Sequence, residues 1–87
     1  MKTKYTVITG ASLGIGRAVA LKFAERNKNL ILIARRKNLL EDLKSEILKK
    51  NPNLDILVID FDLTDVDKIP ELYSKLNNYH IETLINN

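Results

Sequence analysis

The sequence predicts an α/β fold, a doubly wound parallel sheet in which strands and helices alternate. Short β-rich or apolar runs recur at Tyr5–Thr9, Leu30–Ala34, Leu54–Asp60 and Ile81–Asn86. Stretches with helical periodicity separate them. The run from Leu30 to Ala34 is apolar at every position, the mark of a strand buried on both faces. The order is therefore β-α-β-α-β-α-β. Short links and right-handed crossovers place the strands in the spatial order 3-2-1-4.

The first strand, Tyr5–Thr9, ends at Gly10. A helix from Ile15 to about Arg26 follows, with Ile15, Ala18, Val19, Leu21 and Phe23 as its apolar positions. Asn27 stands where it should stop, because Asn tolerates the left-handed turn that closes helices. After the second strand, Asn38 opens another helix, and Glu41 three residues on completes a capping box. Leu39, Leu40, Leu43, Ile47 and Leu48 form its inward stripe, and Pro52 closes the segment. The third strand is Leu54–Asp60. Thr64 with Asp67 reads as a second capping pair, opening a helix that runs to about Asn77. Pro70 falls near its first turn, where a missing N–H costs little. Ile81–Asn86 is the fourth strand. The first two helices should cover one face of the sheet and the third the other. That second face would be only partly covered, and the fourth strand would be an open edge.

Composition narrows the function classes. Of 87 residues, 45% are apolar and 29% charged, a globular balance that argues against disorder. Cysteine is absent, which excludes disulfides and thiolate metal sites and suits a reducing cytoplasm. The basic start at Met1-Lys2-Thr3-Lys4 is followed by an apolar run that Gly10 soon breaks, too short for a leader or a membrane span. The net charge is +3, but its basic residues are dispersed, and Arg35-Arg36-Lys37 is the single tight cluster. No aromatic stacking platform accompanies them, so nucleic acid is not an expected partner. No metal site is expected.

The strongest motif is Thr9-Gly10-Ala11-Ser12-Leu13-Gly14-Ile15-Gly16. It follows a strand and opens a helix, the context a dinucleotide loop needs. Gly10 permits the turn off the strand. Gly14 lets the backbone approach a pyrophosphate, and Gly16 lets the helix pack close to the strand. The helix amino terminus then offers free N–H groups and partial positive charge to phosphates. All three glycines of the chain fall in these seven residues, more than a ligand-free turn needs. The spacing is G-x-x-x-G-x-G, not a P-loop.

This loop resembles the signature of the short-chain dehydrogenases/reductases. Asp60-Phe61-Asp62-Leu63-Thr64 resembles the family's adenine-site motif after the third strand. Leu84-Ile85-Asn86-Asn87 resembles the start of its Asn-Asn-Ala-Gly motif on the fourth. The resemblance covers the whole chain. It implies a Rossmann-type fold, here the amino-terminal part (1–87) of a dinucleotide-binding domain whose remainder is absent. It also implies an oxidoreductase that interconverts carbonyl and alcohol groups by hydride transfer. A small-molecule carbonyl or alcohol substrate, and homo-oligomer formation in the intact protein, belong to the same expectation.

In this family the end of the second strand meets the adenosine ribose. A site for NAD wants a carboxylate there to bond the 2′-hydroxyl. This chain has Ala34 and then Arg35. A guanidinium bonds a 2′-phosphate with two-pronged geometry, so NADP(H) is expected over NAD(H). Arg35 is the first candidate ligand and Arg36 its neighbour; the plain alternative is a solvated charge run. Ser12 is placed to donate from the loop. Many NADP-preferring relatives carry a basic residue before the second motif glycine, where this chain has Leu13. With Gly10, Ser12, Leu13, Gly14, Ile15 and Gly16, the resemblance adds Asp62 as acceptor for the adenine amino group. Asp60 is its rival. By the same resemblance the Leu63 backbone should line this pocket, and Asn86 should lie beside the ribose and tie the fourth strand to its neighbours.

The family's catalytic Tyr-x-x-x-Lys and its upstream Ser have no counterpart here. Tyr5, Tyr73 and Tyr79 are followed four residues on by Thr9, Asn77 and Thr83. No catalytic residue is therefore assigned, and catalysis is expected to reside beyond this chain. Two other readings fit the same residues. One is a non-catalytic NADP(H)-binding module that regulates a protein contact. The other is an interaction domain without nucleotide, which the glycine loop disfavours.

Overall fold

The second strand organises the molecule. In the computed structural model, which describes residues 3–87, β2 (Asn29–Ala34) lies between β1 (Lys4–Thr9) and β3 (Ile56–Asp60). β4 (His80–Ile85) flanks β1 on its other side, so the order is β3-β2-β1-β4 with every pairing parallel. This is the expected 3-2-1-4 arrangement, a partial Rossmann fold. The basic start at Met1 and Lys2 lies outside the described residues.

Burial follows strand position. Leu30, Ile31, Leu32, Ile33 and Ala34 are all buried, as a central parallel strand demands. Alternate side chains divide between two cores. Ile8, Leu30 and Leu32 face helices α1 (Gly14–Glu25) and α2 (Lys37–Lys50), meeting Ala20, Leu40 and Leu43. Val7, Ile31 and Ile33 face the other way, toward Leu72 of α3 (Ile69–Leu76). Each fully buried Leu or Ile contributes roughly 1.5–3 kcal/mol of transfer free energy. The α3 face is thinly covered: Leu84 of β4 is 62% exposed and Tyr73 of α3 is 70% exposed.

Three expectations change. The inward stripe of α1 is Gly16-Ala20-Ala24, while Ile15 and Ala18 face solvent and Val19, Leu21 and Phe23 flank the core. Small residues at this four-residue spacing let the helix lie close to the sheet. The capping box at Asn38 does not form. α2 begins at Lys37, so Asn38 is already inside the helix, and Arg36 occupies the cap position without a side-chain bond. Thr64 does not cap α3 either. The chain enters α3 through a 3-10 turn at Val66–Lys68, with Pro70 in the first helical turn as expected. Asn27 ends α1 with φ 62°, the left-handed conformation anticipated, and its Oδ1 accepts a bond from Asn51 Nδ2 at 2.6 Å.

Candidate functional site: the cleft at the carboxyl ends of the strands

The loop between β1 and α1 makes one wall of a cleft of about 400 Å³. Ala11 is buried and its N–H donates to the Ile33 carbonyl at 3.3 Å, which fastens the loop to β2. Gly14 has φ 58°, and a Cβ built on it meets nothing within 4 Å, so this backbone faces open space. Gly16 is the opposite case. A Cβ there would lie 2.1 Å from the Gly10 carbonyl oxygen, so only glycine allows the helix to start this close to the strand. The first N–H groups of α1 have no helical acceptor. Leu13 caps the helix without a side-chain bond, and the first turn carries no acid. This end of α1 is thus electropositive and has no carboxylate of its own to satisfy it.

The opposite wall comes from β2 and β3. Ala34 lies in register with Asp60, and the Phe61 N–H donates to the Ala34 carbonyl at 2.8 Å. Arg35 and Arg36 line the cleft from the end of β2; Asp62 and Leu63 line it from the end of β3. Asp60, the rival aspartate, does not line it. Asp62 Oδ1 accepts both the Thr64 N–H at 2.9 Å and the Thr64 hydroxyl at 2.6 Å. The Thr64 hydroxyl, then its N–H, and then the charge of Arg35 hold the Asp62 carboxyl below the usual carboxylate range.

The fold therefore gathers Gly10, Ser12, Leu13, Arg35, Arg36, Asp62 and Leu63 around one cleft, although they come from three separate loops. Gly14, Ile15 and Gly16 form the start of α1, directly after the lining residue Leu13, and do not themselves line the cleft. Asn86 lies elsewhere, in the apolar groove beside Leu84 and Leu72, and its Oδ1 accepts from the Thr9 hydroxyl at 3.0 Å. It ties the end of the fourth strand to the first, and the structure does not bring it into the cleft with the other candidate cofactor residues. Five further residues line the cleft to which the sequence assigned no ligand role: Ile33, Ala34, Phe61, Thr64 and Asn87. Asn87 donates its N–H to Thr9 Oγ1 at 3.0 Å and its amide to the Gly10 carbonyl at 3.3 Å. Strand alternation implies that one member of the Asn86-Asn87 pair faces the glycine loop, but which one depends on the register with β1.

A family model for short chain dehydrogenase matches residues 4–87. The chain belongs to the short chain dehydrogenase family. Among members of that family, the "Very-long-chain 3-oxooacyl-coA reductase let-767" of Caenorhabditis elegans is 36% identical over 85 residues, 95% of this chain and 27% of its own length. The crystal structure of YwfH, described as an NADPH dependent reductase involved in bacilysin biosynthesis, superposes with a TM-score of 0.91. It is 31% identical, over 99% of this chain and 35% of its own. A short-chain dehydrogenase from Sphingobium yanoikuyae in complex with NADPH gives a TM-score of 0.84 at 30% identity, covering 93% of this chain and 32% of its own. The chain thus spans about a third or less of these relatives. Among the described residues no helix is long and apolar enough to cross a membrane.

Proposed function

We propose that this chain binds NADP(H) in preference to NAD(H), as the cofactor-binding portion of a cytoplasmic oxidoreductase that interconverts carbonyl and alcohol groups. One observation carries the reading. Arg35 and Arg36 stand at the wall of the glycine-loop cleft and at the amino terminus of the 14-residue helix α2, followed by Lys37. That terminus has no side-chain cap and no acid in its first turn. A helix start already carries partial positive charge, so three cations there repel it and one another. An anion relieves this arrangement, whereas a merely solvated charge run has no reason to lie where the backbone field opposes it. The two relatives whose descriptions name NADPH point the same way.

In this reading the start of α1 takes the pyrophosphate, with Gly14 leaving the backbone accessible and Ser12 donating beside it. Arg35 and Arg36 take the 2′-phosphate, Asp62 accepts from the adenine amino group, and Leu63 packs on the base. Leu13 and Ile15, 57% and 73% exposed, flank the phosphates. Asn86 holds the end of β4 in place beside the ribose. The nicotinamide, when bound, supplies or accepts the hydride. A small carbonyl or alcohol substrate and a homo-oligomeric parent protein complete the proposal.

Arg35→Asp tests it. Loss of one charge-assisted bond is worth roughly 1.5–3 kcal/mol, about tenfold or more in affinity. The ratio of NADPH to NADH dissociation constants, measured by fluorescence titration, should swing toward NADH. An unchanged ratio refutes the assignment.

A further inference from the structure

Arg35 and Asp62 leave neighbouring strand ends, and adjacent strands lie about 4.8 Å apart. Both line the same cleft. A guanidinium and a carboxylate so placed would ordinarily pair, and a pair would occupy the cation that a phosphate needs. Yet no salt bridge among the described residues includes Arg35, Arg36 or Asp62. The carboxylate is engaged within its own turn instead. Asp62 Oδ1 is engaged by two donors from one residue, the Thr64 N–H at 2.9 Å and the Thr64 hydroxyl at 2.6 Å.

We propose that Thr64 is a positioning residue for cofactor selection: by holding Asp62 in its own turn, it keeps that carboxylate off Arg35 and leaves the guanidinium for a ligand phosphate. The inference rests on the NADP(H) reading above and deepens it. The attraction being resisted is present in the structure, since the charge of Arg35 is among the influences that lower the Asp62 carboxyl, after the two Thr64 bonds. Thr64 is exposed and packs in neither core, so its hydroxyl can be removed without opening a cavity. Without it, one of the two restraints on Asp62 goes and the ion pair competes with ligand. A competing equilibrium reduces apparent affinity for every ligand that needs an occupied group; NADPH needs both Arg35 and Asp62, NADH only Asp62. NADPH binding should weaken more than NADH binding.

The test uses the full encoded chain and fluorescence titration with NADPH and NADH. Thr64→Val should raise the NADPH dissociation constant about threefold to fivefold, the size of an exposed ion pair in competition, and raise that for NADH by a smaller factor. Thr64→Ala repeats the measurement with a smaller side chain. Thr64→Ser, which keeps the hydroxyl, should behave as the parent. Adding Asp62→Asn to Thr64→Val removes the competitor and should restore the NADPH-to-NADH ratio. If both dissociation constants change by the same factor, or neither changes, while Arg35→Ala still abolishes discrimination, the role given to Thr64 is wrong. If Arg35→Ala leaves the ratio untouched, the NADP(H) reading itself fails.

Discussion

Gly16→Ala separates a packing glycine from a ligand-facing one. A Cβ at residue 16 would lie 2.1 Å from the Gly10 carbonyl oxygen and 2.8 Å from both the Gly10 carbonyl carbon and Asn87 Nδ2. Reaching 3.0 Å, below which real Cβ atoms essentially never approach a neighbour, requires the start of α1 to retreat by about 0.9 Å. Two of the obstacles are backbone atoms and cannot rotate away. In a solvated helix this substitution would stabilise by about 1 kcal/mol. Here overpacking costs about 1–3 kcal/mol, and the retreat also loosens Ala20 and Ala24 from the core. We expect a net loss of roughly 1–2 kcal/mol, opposite in sign to helix propensity. Urea or thermal unfolding reads this directly, at roughly 4–8 °C per kcal/mol for a small domain. Gly14→Ala is the control. Its Cβ meets nothing, and the left-handed backbone at φ 58° costs about 1 kcal/mol. That variant should lose NADPH affinity well beyond its loss of stability. A Gly16→Ala variant as stable as the parent would show that the start of α1 is not held against Gly10.

The Arg35 and Thr64 substitutions test cofactor choice as set out above. Tyr5→Phe removes the hydroxyl that donates to Asp55 and should cost about 1 kcal/mol in unfolding experiments. The Tyr5 hydroxyl is pushed up to about 12, by its bond to Asp55 first, then by burial and the nearby charge. Because the folded value lies above the unfolded value of 10, the contribution is full below pH 10 and vanishes as pH rises through 12. Above that range the parent should have lost its advantage over the variant; a parent still the more stable of the two would be decisive against this account. Asn27→Gly should be nearly neutral at φ 62°, whereas Asn27→Ala should lose about 1 kcal/mol by chemical denaturation. Equal stability of the two variants would contradict the role of backbone conformation there.

Much of the fold was legible because parallel α/β architecture writes itself into local pattern. Leu30 to Ala34 could belong only to a strand covered on both sides, and the glycine spacing could mark only a tight strand-to-helix turn. Helix boundaries were less legible. Asn38 and Thr64 have good capping chemistry, but α2 starts sooner, immediately after the Arg35-Arg36 link, and the Thr64 hydroxyl turns back to Asp62. Propensity describes what a side chain can do locally; the lengths of the strands decide where the helix begins. The inward face of α1 was misread for a related reason. Ile15 and Ala18 fit a helical stripe, yet the close approach at Gly16 admits only small residues along the buried line.

The strand and helix order, the parallel sheet and the glycine loop were all readable from the residues alone, because each depends on residue type and spacing within one short segment. The sequence also placed Arg35 beyond the end of the second strand. Tertiary structure decided what faces what. It set Asp62, not Asp60, in the cleft beside Arg35, turned Asn87 toward Gly10 and Asn86 toward the apolar groove, and set Thr64 against Asp62. Those outcomes depend on register between strands distant in the chain. A shift of one residue reverses which side chain faces the cleft, and no local pattern carries that information.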